Sequence, residues 1–225
     1  MIGAVIAMDP EAKALLDHME IENIFTMHGK PVYQGTAFGK DVLLCVCGVG
    51  KANAAAGTCA VLEKGADIVL NFGVAGGLDE QTTVTEVYLI DKAVQYDFDL
   101  TQLNGGKPGT LDGETENFIP LFTPEKIDFP RRALGSGDRF NDSPDDHALL
   151  IELGAHIRDM EGAAIAQVCK YAGIPCLQVK AISDQYGSGS TTEQYKQNLA
   201  LAVLNLKEVH PLDAAGPQAR PSVPK

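Results

Sequence analysis

No run of about 20 apolar residues occurs in this chain, so no membrane-spanning helix is expected. No basic stretch precedes the apolar start Met1-Ile-Gly-Ala-Val-Ile-Ala-Met8, which argues against a secretory signal and for a buried first strand. Cations are the minority: 18 Lys and Arg stand against 30 Asp and Glu, a formal net charge of −12. Such a chain repels phosphate backbones and anionic lipid, so neither nucleic-acid binding nor a membrane-surface role is expected. The five cysteines (Cys45, Cys47, Cys59, Cys169 and Cys176) lack the Cys-x-x-Cys spacing of a zinc ribbon or redox pair. They read as reduced, mostly buried thiols of a cytoplasmic protein. The five histidines (His18, His28, His147, His156 and His210) show no ligand spacing, and no metal is expected. A Gly-Lys-Ser/Thr phosphate loop is missing. Gly48-Val-Gly50 falls short of a dinucleotide fingerprint, because Asn53 stands where its third glycine belongs. No cofactor is expected.

What is present is an alternation of apolar runs with helical segments. The 225 residues suffice for one large domain with a substantial core and are short for two. Ile2–Ala7 reads as a buried strand, followed by a helix start with Asp9 as N-cap, Pro10 at the first helical position and Glu11 in the first turn. Asp41–Cys47 is a second apolar strand. Gly48-Val49-Gly50 and an alanine-rich helix over Lys51–Lys64 follow it, with Gly65 just past the helix end. Asp67–Phe72 is a strand closed by the glycine-rich Gly73–Gly77, and Glu86–Ile90 is a further strand. Met160–Tyr171 predicts a helix ended by Gly173 and Pro175, Cys176–Ile182 a strand, and Thr192–Val209 the last helix. Continuous rather than alternating apolar strands imply burial on both faces. The expected fold is therefore a three-layer αβα domain around a mixed, mostly parallel sheet. Residues 1–210 are expected to form this one domain. Tyr96–Pro130 reads as a long functional loop, and the Pro- and Ala-rich residues 211–225 as a mobile tail.

In open α/β sheets ligands sit beyond the carboxyl ends of the strands. The polar residues placed there are Glu11, Glu161 at the opening of a helix, and Asp184 after the Cys176–Ile182 strand. Three carboxylates on one rim suit glycosidic cleavage, where one acid protonates the leaving group and another activates water or steadies an oxocarbenium-like centre. From pattern alone a plainer role is open to each. Asp9, Glu11 and Glu161 would favour helix N-termini through the macrodipole, Asp184 would serve as an N-cap, and the glycines would make tight turns with no ligand nearby.

Taken together, the segments resemble the nucleoside phosphorylase superfamily, and within it the methylthioadenosine/S-adenosylhomocysteine nucleosidases. Six pieces carry the resemblance, in the family's order, across most of residues 1–200: Ile2-Gly-Ala-Val-Ile-Ala-Met8-Asp-Pro-Glu11, Cys47-Gly-Val-Gly-Lys51-Ala-Asn-Ala-Ala, Asn71-Phe-Gly-Val-Ala-Gly-Gly-Leu78, Ser136-Gly-Asp-Arg-Phe140, Asp159-Met-Glu161-Gly-Ala-Ala-Ile165-Ala-Gln-Val-Cys169, and Ala181-Ile-Ser-Asp184. The resemblance implies a nucleoside substrate and a role for each matching residue. Glu11 would activate the attacking water, and Asp184, supported by Ser183, would protonate N7 of the departing adenine. Glu161 would bind the ribose hydroxyls, with Met160 packed under the sugar. Phe140 would stack on the purine while the backbone of Asn141 reads its edge. Met8, Val49 and Val74 would line the ribose and 5′ region. A homodimer is implied as well.

Water is the expected nucleophile. The related phosphorylases carry arginines after the first strand and before the glycine-rich loop, and a serine within that loop, to hold phosphate. Here Lys13 is the cation of the first segment, Asn71-Phe72 precede the loop, and Val74 takes the serine position. Further departures are Gln95–Leu100 in place of the family's Tyr-His-Asp-x-Asp-Val, Thr85-Glu86 for Gly-Asp, and Lys180 for a frequent arginine. They bear on the 5′ pocket and the subunit contact more than on the bond being cut. The expected activity is hydrolysis of a 5′-alkylthio-adenosine to adenine and the thioribose. Futalosine or aminodeoxyfutalosine hydrolysis, purine nucleoside phosphorolysis, and silent nucleoside binding are the alternatives.

Overall fold

The apolar runs become the inner strands of one mixed sheet. The computed structural model describes residues 1–126, 128–140 and 142–208. The expected tail, 211–225, lies outside them. β1 (Ile2–Ile6) pairs in parallel with β4 (Lys40–Val46) on one side and with β5 (Ile68–Gly77) on the other. β10 (Cys176–Gln185) continues this parallel centre along β5. Alternate side chains of these strands face opposite layers. Ala4, Ile6, Leu44, Leu70, Phe72, Leu177 and Val179 pack toward α1 (Asp9–Leu16) and α6 (Thr191–Glu208). Val5, Leu43, Cys45 and Val69 face α2 (Lys51–Glu63) and α5 (Gly162–Ala172). Burial pushes the thiols of Cys45 and Cys47 up to about 11 and about 12, which leaves them inert near neutral pH.

The antiparallel pairings lie mostly away from this centre. β2 (Met19–Met27) and β3 (Lys30–Ala37) form a hairpin that extends the sheet beyond β4. At the other end β6 (Val87–Gln95) runs antiparallel to β10 and parallel to β8 (Arg131–Ser136). β8 pairs with the short β9 (Ile157–Asp159), and β9 pairs back onto Gly76 and Gly77 of β5. Strands β5, β10, β6, β8 and β9 thus close on themselves. Ala75, Tyr88, Ile90, Leu134, Ile157 and Ile182 form a separate apolar cluster there with Ala163 of α5.

Two local expectations change. Gly73–Gly77 is not a turn after a strand but the second half of β5. Here glycine lets neighbouring side chains come up against the backbone. Asp9 is not the N-cap of α1; Met8 holds that position, and Pro10 sits one residue further into the first turn. Among its described residues the long 96–130 segment holds only the four-residue α3 (Thr101–Asn104) and the two-residue β7 (Ile119–Pro120), paired with β6. Its first residues tie two pieces of the rim together: Asp97 pairs with Lys51 at 2.5 Å and accepts the Asp138 amide at 3.0 Å. α4 (Pro144–Leu153) starts from Ser143 as N-cap. Among the described residues no helix is long and apolar enough to cross a membrane.

Candidate active site

Glu11 projects from the first turn of α1 into the sheet and is only 3% exposed. Its Oε2 accepts the Met8 amide of its own helix start at 3.1 Å, and its Oε1 accepts the Val74 amide of β5 at 2.7 Å. The plain helix-capping role is therefore met by one oxygen while the other crosses to the next strand. A Cβ on Gly73 would lie 2.6 Å from Oε1, so the glycine makes room for this carboxylate. Burial raises the pKa of Glu11, against the two amides and Lys180, which favour the charged form. A carboxylate held this way is a stronger base than one in water.

Glu161 occupies the N-cap position of α5, yet its side chain makes no capping bond there. It reaches instead to Gly50 at the start of α2, whose amide it accepts at 2.7 Å. Gly50 has φ of +102°, a conformation glycine adopts without a Cβ penalty, and this turns its N–H onto the carboxylate. Asp159 takes over the capping, accepting the amides of Glu161 and Gly162 at 3.2 and 2.9 Å. Asp159 also accepts the Ser136 hydroxyl and pairs with Lys180 at 2.9 Å, both charged side chains being almost fully buried. Burial and the neighbouring Asp159 push Glu161 up to about 7. Burial works against the Lys180 ammonium, but Asp159, Glu161 and Glu11 outweigh it and hold the group above its ordinary value. Lys180 is thus the buried cation common to this carboxylate cluster.

Asp184 does not follow its strand; it lies within β10, seven residues ahead of α6, and so is not an N-cap. The β5–β10 register shifts between Ile182 and Asp184, leaving Ser183 as an extra residue in the ladder. Such a bulge re-aims the side chains around it. Both Ser183 and Asp184 are buried as a result, with the Ser183 hydroxyl donating to Asp184 Oδ2 at 2.8 Å. The other oxygen, Oδ1, accepts no hydrogen bond among the described residues. Burial raises the pKa of this carboxyl, opposed by Ser183 and by Arg158. A buried carboxyl with a raised pKa and one open oxygen can deliver a proton to a ligand.

The rim is apolar. Tyr195 of α6 places its hydroxyl 3.4 Å from the Met8 sulfur and meets the Phe140 ring edge-on at 5.8 Å between centroids. Burial, together with Glu11, Asp184 and Glu161, raises the pKa of the Tyr195 hydroxyl, which places it within reach of all three carboxylates' fields. Phe140 and Val49 are about half exposed, open to a ligand, and Val74 and Met160 are partly buried. The expected Asn141 contact lies outside the described residues. Of the ten expected site residues, the structure ties Glu11, Met8 and Val74 together directly, and Ser183 to Asp184; Glu161 is linked to Glu11 through Lys180, whose charge acts on both, and through the field of Glu11 on Glu161. Sequence reading did not assign Asp159, Arg158, Ser136 or Tyr195. A signal for the first was available: Lys180 interrupts a buried strand, and a buried charge requires a partner. Among the described residues no group of three or more His, Cys, Asp or Glu could hold a metal ion.

The arrangement offers Glu11 as a candidate base, Asp184 as a candidate acid, and Glu161 as a third carboxylate that already accepts a backbone amide. It suits a reaction in which a leaving group gains a proton while water loses one.

Comparison with known proteins agrees with this chemistry. The profile of the phosphorylase superfamily matches residues 1–214. A 5′-methylthioadenosine/S-adenosylhomocysteine nucleosidase of Tolumonas auensis is 31% identical over 229 residues, covering 92% of this chain and 99% of that protein. The nucleosidase of the same name from Neisseria meningitidis, solved in complex with methylthio-immucillin-A, superposes with a TM-score of 0.83 at 25% identity over 92% of this chain and 95% of that one. Futalosine hydrolase of Helicobacter pylori superposes equally well, TM-score 0.83, over 92% of this chain and 94% of its own, at 23% identity. At that identity the last likeness is one of fold.

Proposed function

The chain belongs to the phosphorylase superfamily, and from that premise we propose that it hydrolyses the N-glycosidic bond of a 5′-alkylthio-adenosine, 5′-methylthioadenosine or S-adenosylhomocysteine, to adenine and the thioribose. The observation that carries the reading is the placing of two buried carboxyls against β5: Glu11 bonded to the Val74 amide beside Gly73, and Asp184 held beside Gly76 with its Oδ1 accepting no hydrogen bond and facing Arg158 at 3.7 Å. Asp184 donates its proton to N7 of the purine, the C1′–N9 electron pair leaves with the neutral base, and Glu11 takes a proton from the water that adds to C1′. Glu161 accepts hydrogen bonds from the ribose hydroxyls. Met8, Val49 and Val74 enclose the sugar and the 5′ group, Met160 packs beneath the ribose, and Phe140 covers the base.

Water rather than phosphate follows from the electrostatics. A phosphate dianion needs cationic donors around it. The nucleophile here would lie among the Glu11 and Glu161 carboxylates, where the buried Lys180 is already paired with Asp159. Val74 offers no hydroxyl, and its amide is committed to Glu11. The test is incubation with 5′-methylthioadenosine in phosphate-free buffer, following free adenine. Adenine release that depends on added phosphate removes the hydrolase reading, and adenine release from aminodeoxyfutalosine alone, or hypoxanthine release from futalosine alone, replaces the substrate. We further read the protein as a cytoplasmic homodimer serving methionine salvage. Four buried free cysteines support a reducing compartment, and the half-exposed Val49 and Phe140 support a second copy closing the pocket. Light scattering on the purified protein checks the dimer.

A further inference from the structure

We propose that Arg158 is a positioning residue for Asp184: shared between Asp184 and Asp142, its guanidinium orients the acid and stabilises the carboxylate that remains once the proton has passed to the departing base. The inference rests on the reading of Asp184 as leaving-group acid. Arg158 comes from β9, and its Nη2 lies 3.7 Å from Asp184 Oδ1 and 3.9 Å from Asp142 Oδ1. Arg158 and Asp184 are 11% and 3% exposed in their side chains, whereas Asp142 is half exposed. The meeting is built into the strands. β9 pairs with the last residues of β5, with Arg158 opposite Gly76, and β10 places Asp184 opposite the same glycine. A Cβ on Gly76 would stand 2.9 Å from Asp184 Oδ1 and 3.0 Å from Arg158 Nε. One missing side chain on β5 thus opens the space in which the two groups approach each other from opposite neighbours.

The remaining groups around Asp184 fit this role. Ser183 holds Oδ2, so the guanidinium faces the oxygen left for the ligand. Tyr195 of α6 is a neutral phenol whose proton is held more tightly than usual. His147 of α4 stacks on Tyr186 at 3.6 Å, and burial together with Arg158 keeps its imidazole below its ordinary value, so it adds no second cation. In the reaction the Asp184 O–H bond breaks, its proton goes to the purine nitrogen, and the negative charge stays on Asp184 next to the guanidinium. Burial makes Asp184 a weaker acid than a solvent-exposed carboxyl. Arg158 counters that burial, and Asp142 draws part of the guanidinium's charge outward.

The two neighbours therefore pull the acid in opposite directions, and this separates tuning from mere structural support. The midpoint of Asp184 is read by carboxyl carbon-13 NMR, its signal assigned by its loss in Asp184→Asn. Arg158→Met should raise that midpoint by about one unit or more, the usual scale for a carboxylate losing an adjacent arginine. Arg158→Lys should restore most of it, and Asp142→Asn should lower it. The alkaline limb of kcat for adenine release should move in the same directions. Plateau kcat of Arg158→Met should fall about tenfold with KM within about twofold. An unmoved midpoint in folded Arg158→Met, or equal shifts in both variants, overturns the proposal; so does a shifted midpoint with an unshifted kcat limb. Failure of wild-type protein to release adenine overturns the functional reading instead, and the NMR midpoints still report whether Arg158 sets Asp184.

Discussion

Replacing Glu161 by glutamine removes one charge while keeping a carbonyl oxygen that can accept the Gly50 amide. In the folded protein Glu161 titrates at about 7, against an ordinary 4.5, because burial and Asp159 penalise the charged form more than Lys180 and the Gly50 amide favour it. A raised carboxyl binds its proton in the folded state while the unfolded chain has already lost it. Stability therefore falls as pH rises from about 4.5 to about 7, and stays reduced above that. Each unit is worth about 1.4 kcal/mol, so the charged form costs on the order of 3 kcal/mol at pH 8. Glu161→Gln should recover much of this at pH 8 and gain nothing near pH 4. For a domain of this size 1 kcal/mol moves Tm by about 2–4 °C, so the gain at pH 8 should be about 6 °C or more. The assay is thermal and urea unfolding of both proteins at pH 4, 6 and 8. Equal stability at every pH, or a variant less stable at pH 8, refutes the reasoning. The same substitution should raise KM for the nucleoside, since a neutral amide binds ribose hydroxyls less well than a carboxylate. The site would then be a place where stability is sacrificed to function.

Asp184→Asn should lower adenine release at least about a hundredfold, the usual scale for a general acid; a near-wild-type rate removes it from the mechanism. Glu11→Gln should suppress kcat comparably while calorimetry still detects nucleoside binding, and loss of binding would make Glu11 a ligand-holding group instead. Gly73→Ala should displace Glu11, because its Cβ would sit 2.6 Å from Oε1, and should cut kcat with little change in the fold seen by circular dichroism. Lys180→Met should destabilise the protein by about 3–5 kcal/mol in urea unfolding, since it strands Asp159 as an unpaired buried charge.

Most helices and inner strands were legible because their signals are local. Gly65 and Gly173 sit at positive φ where the helix ends were expected, and the runs at Ile2, Asp41, Asp67 and Cys176 all became inner strands. The hairpin β2–β3 was not read, since β2 is mostly exposed, β3 is only partly buried, and neither carries a continuous apolar run. The glycines of β5 were read as a turn. Glycine marks both turns and close backbone approaches, and only the neighbours at Gly73 and Gly76, the carboxylates of Glu11 and Asp184, tell the two apart.

By itself the sequence determined the three layers, the order of the elements and, through its ordered motifs, which carboxylates are proposed to carry the chemistry. These rest on hydrophobic period, helix ends and residue identity, all of which are local. The tertiary structure alone decided how those carboxylates behave. The bulge at Ser183 turns Asp184 inward, β9 closes onto Gly76 and brings Arg158 beside it, and Lys180 finds Asp159 across the sheet. Acid strength depends on burial and on charges a few ångströms away, and those neighbours are set by strand pairings between residues far apart in the chain.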